Sequence, residues 1–98
     1  MAQPPNNTAT VTALTGSDQT VLTGDGIFFG GTFTETGCST AGCIIYDNTA
    51  NSGTILAKVS LAANGIEHIN FANGLQAGTG IRVDITSGAI AGSIHFTS

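Results

Sequence analysis

The chain has 98 residues, enough for one domain, with two basic against six acidic residues and a net charge of −4. Two cations are too few to line a phosphate backbone or to hold the chain to an anionic bilayer, which argues against nucleic acid and membrane as partners. Charged residues make up 8% of the chain and hydrophobic ones 41%, where an average domain is about 25% charged; the expected surface is neutral, cheap to desolvate, and covered by other protein.

Met1-Ala2-Gln3-Pro4-Pro5-Asn6-Asn7 has no apolar periodicity, which predicts a flexible N-terminal arm over residues 1–7 and a single β-domain over 8–98. The same stretch lacks a basic and an apolar region of the kind that directs export, so synthesis in a cytoplasm is expected. No apolar run approaches the about 20 residues that span a bilayer.

From Thr8 onward apolar and polar residues alternate in short runs. Thr8 to Leu14 sets Thr8, Thr10 and Thr12 against Ala9, Val11 and Ala13, and Gln19 to Leu22 is a short second run. Gly26 to Phe33 holds three of the five phenylalanines, and its Gly30-Gly31 pair predicts a bulge or bend. Cys43 to Asp47 is β-rich and stops at Asn48-Thr49-Ala50-Asn51-Ser52-Gly53. Thr54 to Leu61 opposes Ile55, Ala57, Val59 and Leu61 to Thr54, Leu56, Lys58 and Ser60. Asn64-Gly65 predicts a type I′ hairpin into a return strand over Ile66 to Phe71, and Asn73-Gly74 predicts a further break. Gly80 to Thr86 points Ile81, Val83 and Ile85 inward, and Ile90 to Phe96 sets Ile90, Ile94 and Phe96 against Ser93 and His95.

About eight short strands at this spacing predict an all-β fold, an antiparallel β-sandwich or jelly-roll-like barrel. No segment sustains a helical period, and the helix formers Glu, Lys, Arg and Met are scarce.

Few residues suggest chemistry. The four-residue spacer between Cys38 and Cys43 makes them a candidate disulfide, provided their Cα atoms come within about 7 Å. Such a bond would be worth on the order of 2–3 kcal/mol. Two free thiols, with Cys43 buried at a strand start, are the alternative that a reducing cytoplasm favours, and the spacing leaves both open. His68 and His95 fall on separate strands without ligand-pair spacing, so neither a zinc site nor any other metal or cofactor is expected. No nucleophile–base motif accompanies either histidine, and outward or interfacial positions are expected for both. The carboxylates are scattered singly; Asp47, Asn48 and Asn51 read as turn stabilisers rather than a calcium loop. Gly24-Asp25-Gly26 and Gly78-Thr79-Gly80 read as turns, without the helix that a phosphate-binding loop requires.

Ile44-Ile45-Tyr46-Asp47-Asn48-Thr49-Ala50-Asn51-Ser52-Gly53-Thr54-Ile55-Leu56 is followed by Leu61-Ala62-Ala63-Asn64-Gly65, Asn70-Phe71-Ala72-Asn73-Gly74-Leu75 and Thr79-Gly80-Ile81-Arg82-Val83. This series resembles small β-sandwich virion proteins of tailed bacteriophages, and it covers roughly the last 55 residues. The resemblance implies a non-enzymatic structural protein of the virion, assembled in the host cytoplasm. The leading expectation is a capsid decoration (cement) protein that binds the major capsid protein or other virion proteins as a homo-oligomer, a trimer being favoured. Gln3, Pro4, Pro5, Asn6 and Asn7 would then form a capsid-docking arm. The alternative is a tail fibre, spike or head-vertex component with a receptor- or carbohydrate-binding role, a reading weakened by the absence of Trp and the single Tyr.

Overall fold

The computed structural model describes residues 9–98, and the expected arm at Gln3, Pro4, Pro5, Asn6 and Asn7 lies outside them. Eight strands follow one another: β1 (Thr10–Ala13), β2 (Gln19–Thr23), β3 (Gly26–Glu35), β4 (Ala41–Asp47), β5 (Thr54–Leu61), β6 (Ile66–Ala77), β7 (Gly80–Ser87) and β8 (Ile90–Thr97). They form two four-stranded antiparallel sheets, sheet A in the order β1-β8-β3-β6 and sheet B in the order β2-β7-β4-β5. The expected all-β sandwich is what the chain adopts.

The strand order has a simple origin. The antiparallel pairs β1·β8, β2·β7, β3·β6 and β4·β5 mirror one another about the β4–β5 connection. The chain is thus one long folded ribbon whose successive pairs fall in alternate sheets. The ladders β3·β8 and β4·β7 close each sheet. This is the jelly-roll arrangement of an antiparallel double sheet.

Alternation fills the space between the sheets. Phe28 and Phe33 from β3, Ile45 from β4, Ile81 and Val83 from β7 and Ile94 from β8 are each wholly buried. Their out-of-phase neighbours Thr32, Arg82, Ser93 and His95 point away from the core, as a pleat of period two requires. The Phe28 and Phe71 rings, with centroids 5.9 Å apart, fill the same interior from β3 and β6.

Bulges decide which side chains break the alternation. Both ladders of β3 shift register between Phe28 and Gly30, so the expected Gly30-Gly31 irregularity is present. Gly30 lies at φ +123°, and a Cβ there would stand 2.0 Å from the Ile69 carbonyl oxygen, which only glycine avoids. Opposite it, β6 does not end at Asn73-Gly74 as expected. Phe28 pairs with Leu75 and Gly30 with Asn70, so Phe71 to Gly74 stand against Phe29 alone, an extended bulge inside one strand. Gly74, at φ +76°, lets this bulge lie against Ile27 and Phe29.

Two further expectations are corrected. Asn64-Gly65 does not make a hairpin, because β5 belongs to sheet B and β6 to sheet A. The Gly65 N–H donates to the Ala62 carbonyl (2.8 Å) and Asn64 alone takes positive φ, at 61°, so this turn arches the chain from one sheet to the other. On β5, the pairs Ile45–Ala57 and Tyr46–Ile55 leave Leu56 unpaired in a bulge. Leu56 therefore packs on the core, and Ile55 turns outward with half its surface (51%) exposed.

One carboxylate ties the arch in place. Glu35, at the end of β3, is the buried charged residue among those described. Its Oε1 accepts the Asn64 N–H at 2.8 Å, and its other oxygen accepts the Gly37 N–H. These bonds, led by the one from Asn64, hold its carboxyl below the usual range although burial pushes the other way. The β3–β4 loop and the β5–β6 arch are thus pinned to one side chain.

Candidate functional site

The two outward surfaces of the sandwich differ in chemistry. Residues directly opposite in a ladder share a face, so the registers trace each surface row by row. On the outer side of sheet B, Ile44 of β4 stands between Lys58 of β5 and Asp84 of β7, and Tyr46 lies beside Arg82. Arg82 donates to Thr20 Oγ1 and to Asn51 Oδ1, both at 2.8 Å, and Asn51 in turn donates to Asp18 Oδ2 at 2.8 Å. Asp18 also caps the Ile85 N–H, and with the Asn51 bond leading this holds its carboxyl below the usual range.

The outer side of sheet A has no such groups. One row runs Ala13, Ser93, Thr32, His68 across β1, β8, β3 and β6, and the next runs Val11, His95, Gly30, Asn70. Ala91, Thr34 and Ile66 form a third. Among the described residues no Asp, Glu, Lys or Arg projects from this face. Glu67, on β6, is in phase with the inward Phe33.

Sheet A's face carries a hollow of about 430 Å³, lined by Ala9, Phe29, Thr32, His68, Asn70 and His95. It brings together the two histidines that chain order keeps 27 residues apart. His95 Nε2 lies 3.0 Å from Ser93 Oγ, which lies 3.1 Å from Thr32 Oγ1, and Thr32 is directly across from His68. The sequence signal for this was weak: only the register of β3, with β8 on one side and β6 on the other, makes neighbours of these residues.

The Ser93–His95 contact has the reach of a nucleophile–base pair. It is also what a pleat gives any Ser-x-His strand, since residues two apart share a face. Among the described residues nothing hydrogen-bonds the other ring nitrogen of His95, and none of them orients the imidazole as a third group. No three or more His, Cys, Asp or Glu side chains cluster as metal ligands among the described residues.

The other residues singled out above have structural places. Cys38 is exposed on the β3–β4 loop at φ 60°, Cys43 is buried in β4, and both are free thiols. Burial, with a smaller contribution from Asp84, pushes the Cys43 thiol up to about 11. Asp47 accepts the Thr79 and Gly78 N–H groups at 2.8 and 3.0 Å, and the Gly80 N–H at 3.3 Å. Its carboxyl is held low by those bonds, so it braces the Gly78-Thr79-Gly80 turn. Asn48 caps its own turn through the Thr49 N–H and the Ser52 carbonyl. No helix among the described residues is long and apolar enough to cross a membrane.

A second hollow, about 460 Å³, lies over Gly42 between β5 and β7, rimmed by Thr40, Lys58, Ser60, Thr86 and Ser87.

Fold and surface define an eight-stranded antiparallel β-sandwich with one charged and one uncharged broad face. No family model, curated protein or solved structure matches the chain.

Proposed function

We propose that this chain is a structural protein of a phage virion, a capsid decoration (cement) protein that lays the outer face of sheet A on the head shell. The observation that carries this reading is the lack of formal charge across all four strands of that face, set against the charged face of sheet B. Burying neutral hydroxyls and small apolar groups against protein avoids the large cost of desolvating ions. Val11, Phe29 and Ile66 add apolar area to the same face. The resemblance of roughly the last 55 residues to small virion proteins of tailed phages is in keeping with this reading. The role needs no catalysis. A module that binds several shell subunits at once stabilises the assembled form by mass action.

The test is co-sedimentation with shells assembled from a major capsid protein of the phage that carries this chain. The expected result is saturable binding at many copies per shell. Ala91→Lys, exposed on sheet A's face, abolishes it, and Ser60→Lys, exposed on sheet B's face, leaves it intact. Absence of binding, or equal binding by both variants, overturns the reading.

A second reading is favoured by the hollow on the same face. The Phe29 ring there is surrounded by His68, Asn70, His95 and Thr32, an aromatic surface ringed by hydrogen-bonding groups of the kind that recognise small polar ligands such as sugars. A tail or vertex protein that contacts a receptor would use it in this way. A glycan array with a hit abolished by Phe29→Ala supports this second reading, and an array without hits rejects it.

A further inference from the structure

The three large apolar side chains that are most exposed, Val11 (63%), Ile66 (62%) and Ile55 (51%), all lie on strands at the margins of the sheets. Val11 is on β1, at one margin of sheet A; Ile66 is on β6, at the other. Ile55 is on β5, which borders sheet B on the β6 side. The sandwich therefore has two lateral edges, β1 with β2 and β6 with β5. Because packed sheets lie about 10 Å apart, each pair of margins presents one continuous surface. An exposed strand margin is a template for pairing, and proteins that leave it bare guard it with charge or proline. β1 (TVTA) and β2 (QTVLT) carry neither, whereas the opposite margin carries Lys58 on β5 and Glu67 on β6 and bulges in both strands, so the β1/β2 margin is the unguarded one.

The two edges fit one another. Alternation of direction through sheet A makes β1 antiparallel to β6, and through sheet B makes β2 antiparallel to β5. A second copy displaced sideways thus meets both margins with antiparallel strands at once. The levels also agree. Traced through the ladders, Val11 is level with Asn70, Thr12 with Ile69 and Ala13 with His68, which lie in the regular part of β6 before its bulge. In sheet B, Thr20 is level with Ile55 and Gln19 with Ala57. Asp18 precedes the ladder by one residue and is held by Asn51 and the Ile85 N–H, next to Asp84, whose level is that of Lys58, so the only lysine of one copy and an aspartate of the next lie at the same end of the contact.

From this match of direction, level and charge we infer that the chain assembles head to tail with itself, the β1/β2 edge of one copy pairing with the β6/β5 edge of the next. Both sheets then continue across the contact, with Val11 beside the neighbour's Asn70 and Ile55 beside its Thr20. Such a contact is heterologous, so it closes into a ring or runs on as a fibre according to the angle between copies. The inference specifies the oligomer within the proposed packing role. It rests on that role for the partner being protein, and not for the shell.

The test uses the full chain with Val11→Lys, which spoils one edge, and Ile55→Lys, which spoils the other; both positions are exposed, so circular dichroism is expected to show wild-type folding. Sedimentation velocity is expected to give an oligomer larger than a dimer for the wild type and monomers for each variant alone. An equimolar mixture of the two is expected to give a one-to-one dimer, because each variant retains the edge the other has lost. A monomeric wild type overturns the inference, as does a symmetric dimer, a mixture that stays monomeric, or variants that assemble like the wild type. Shell co-sedimentation of the wild type and of Ile55→Lys separates the two proposals, since Val11 also lies on the face proposed to meet the shell. Oligomers that ignore shells keep the edge pairing and refute the decoration role; a monomeric wild type that still coats shells does the reverse.

Discussion

The bulge at Leu56 makes two isoleucines on neighbouring strands behave differently, and this difference can be measured. Strict alternation along β5 would place Ile55 in the core with Val59 and Leu61, whereas the register leaves it half exposed (51%) beside Tyr46. Ile45, one residue earlier on β4, is wholly buried. Replacing isoleucine by alanine removes three carbons, each worth about 0.8 kcal/mol when buried. At Ile45 the transfer loss of about 2.4 kcal/mol and the cavity left behind bring the cost to about 4 kcal/mol. At Ile55 half of the surface already meets water and solvent fills the gap, so the cost is about 1 kcal/mol. The gap of about 3 kcal/mol corresponds to melting midpoints separated by about 12–24 °C in a domain of this size. The assay is urea unfolding followed by far-ultraviolet circular dichroism. Should Ile45→Ala fail to fold, Ile45→Val and Ile55→Val give the same comparison at about 1 and about 0.4 kcal/mol. Equal losses at the two positions would put Ile55 back in the core and refute the bulge.

Other outcomes follow from single residues. Glu35, Asp47 and Asp18 are all held below their ordinary range by hydrogen bonds to the folded chain. Their contribution is complete above the unfolded carboxylate range, about pH 4, and is lost as pH falls through the lower folded values. Acid titration of the melting temperature is expected to show a fall on that limb, shallower in Glu35→Gln and in Asp47→Asn. Gly30→Ala sets a Cβ against the Ile69 carbonyl and is expected to lower stability by more than about 2 kcal/mol or to prevent folding, read by the same urea assay. Native alkylation at pH 8 is expected to label Cys38 and spare Cys43, whose thiol is buried and pushed up to about 11, with both labelled after denaturation; mass spectrometry counts the adducts.

Strand positions were legible because the pleat writes itself as alternation: Ile81, Val83 and Ile85 against Arg82, Asp84 and Thr86 needs no further information. What escaped the sequence depends on pairing between distant strands. Nothing local marks Leu56 as bulged, since the bulge is defined by Tyr46 lying opposite Ile55. Asn64-Gly65 has the residues of a tight hairpin, but β5 and β6 pair with β4 and β3 in different sheets, which a turn motif does not encode. Glu35 looked like one of several scattered carboxylates; its role follows from the arch that brings the Asn64 N–H to it across 29 residues. The histidine hollow was hidden for the same reason, since β3 must lie between β8 and β6 before His95 and His68 share a surface.

The same dependence bears on how the neutral composition is to be understood. Low charge alone is compatible with a sandwich whose few ions are spread evenly. Here the ladders sort them: Lys58, Arg82 and Asp84 fall on sheet B's face, Glu35 is buried, and sheet A's face keeps only imidazoles. β1 shows that this sorting is not a by-product of core packing. Its Thr12 lies level with the inward Ile94, while Val11 and Ala13 stand outside with His95 and Ser93. Stability of the isolated domain would be better served with the valine inside and the threonines out. A strand that turns its apolar side chains away from its own core gains nothing until something else covers them. Substituting Val11 by Thr is therefore expected to leave the melting temperature of the isolated domain within about 3 °C of wild type, an energy change of no more than about 0.5 kcal/mol. In sedimentation the same variant is expected to associate more weakly. A large fall in melting temperature would place Val11 in the domain's own core, and the outward register of β1 would then be wrong.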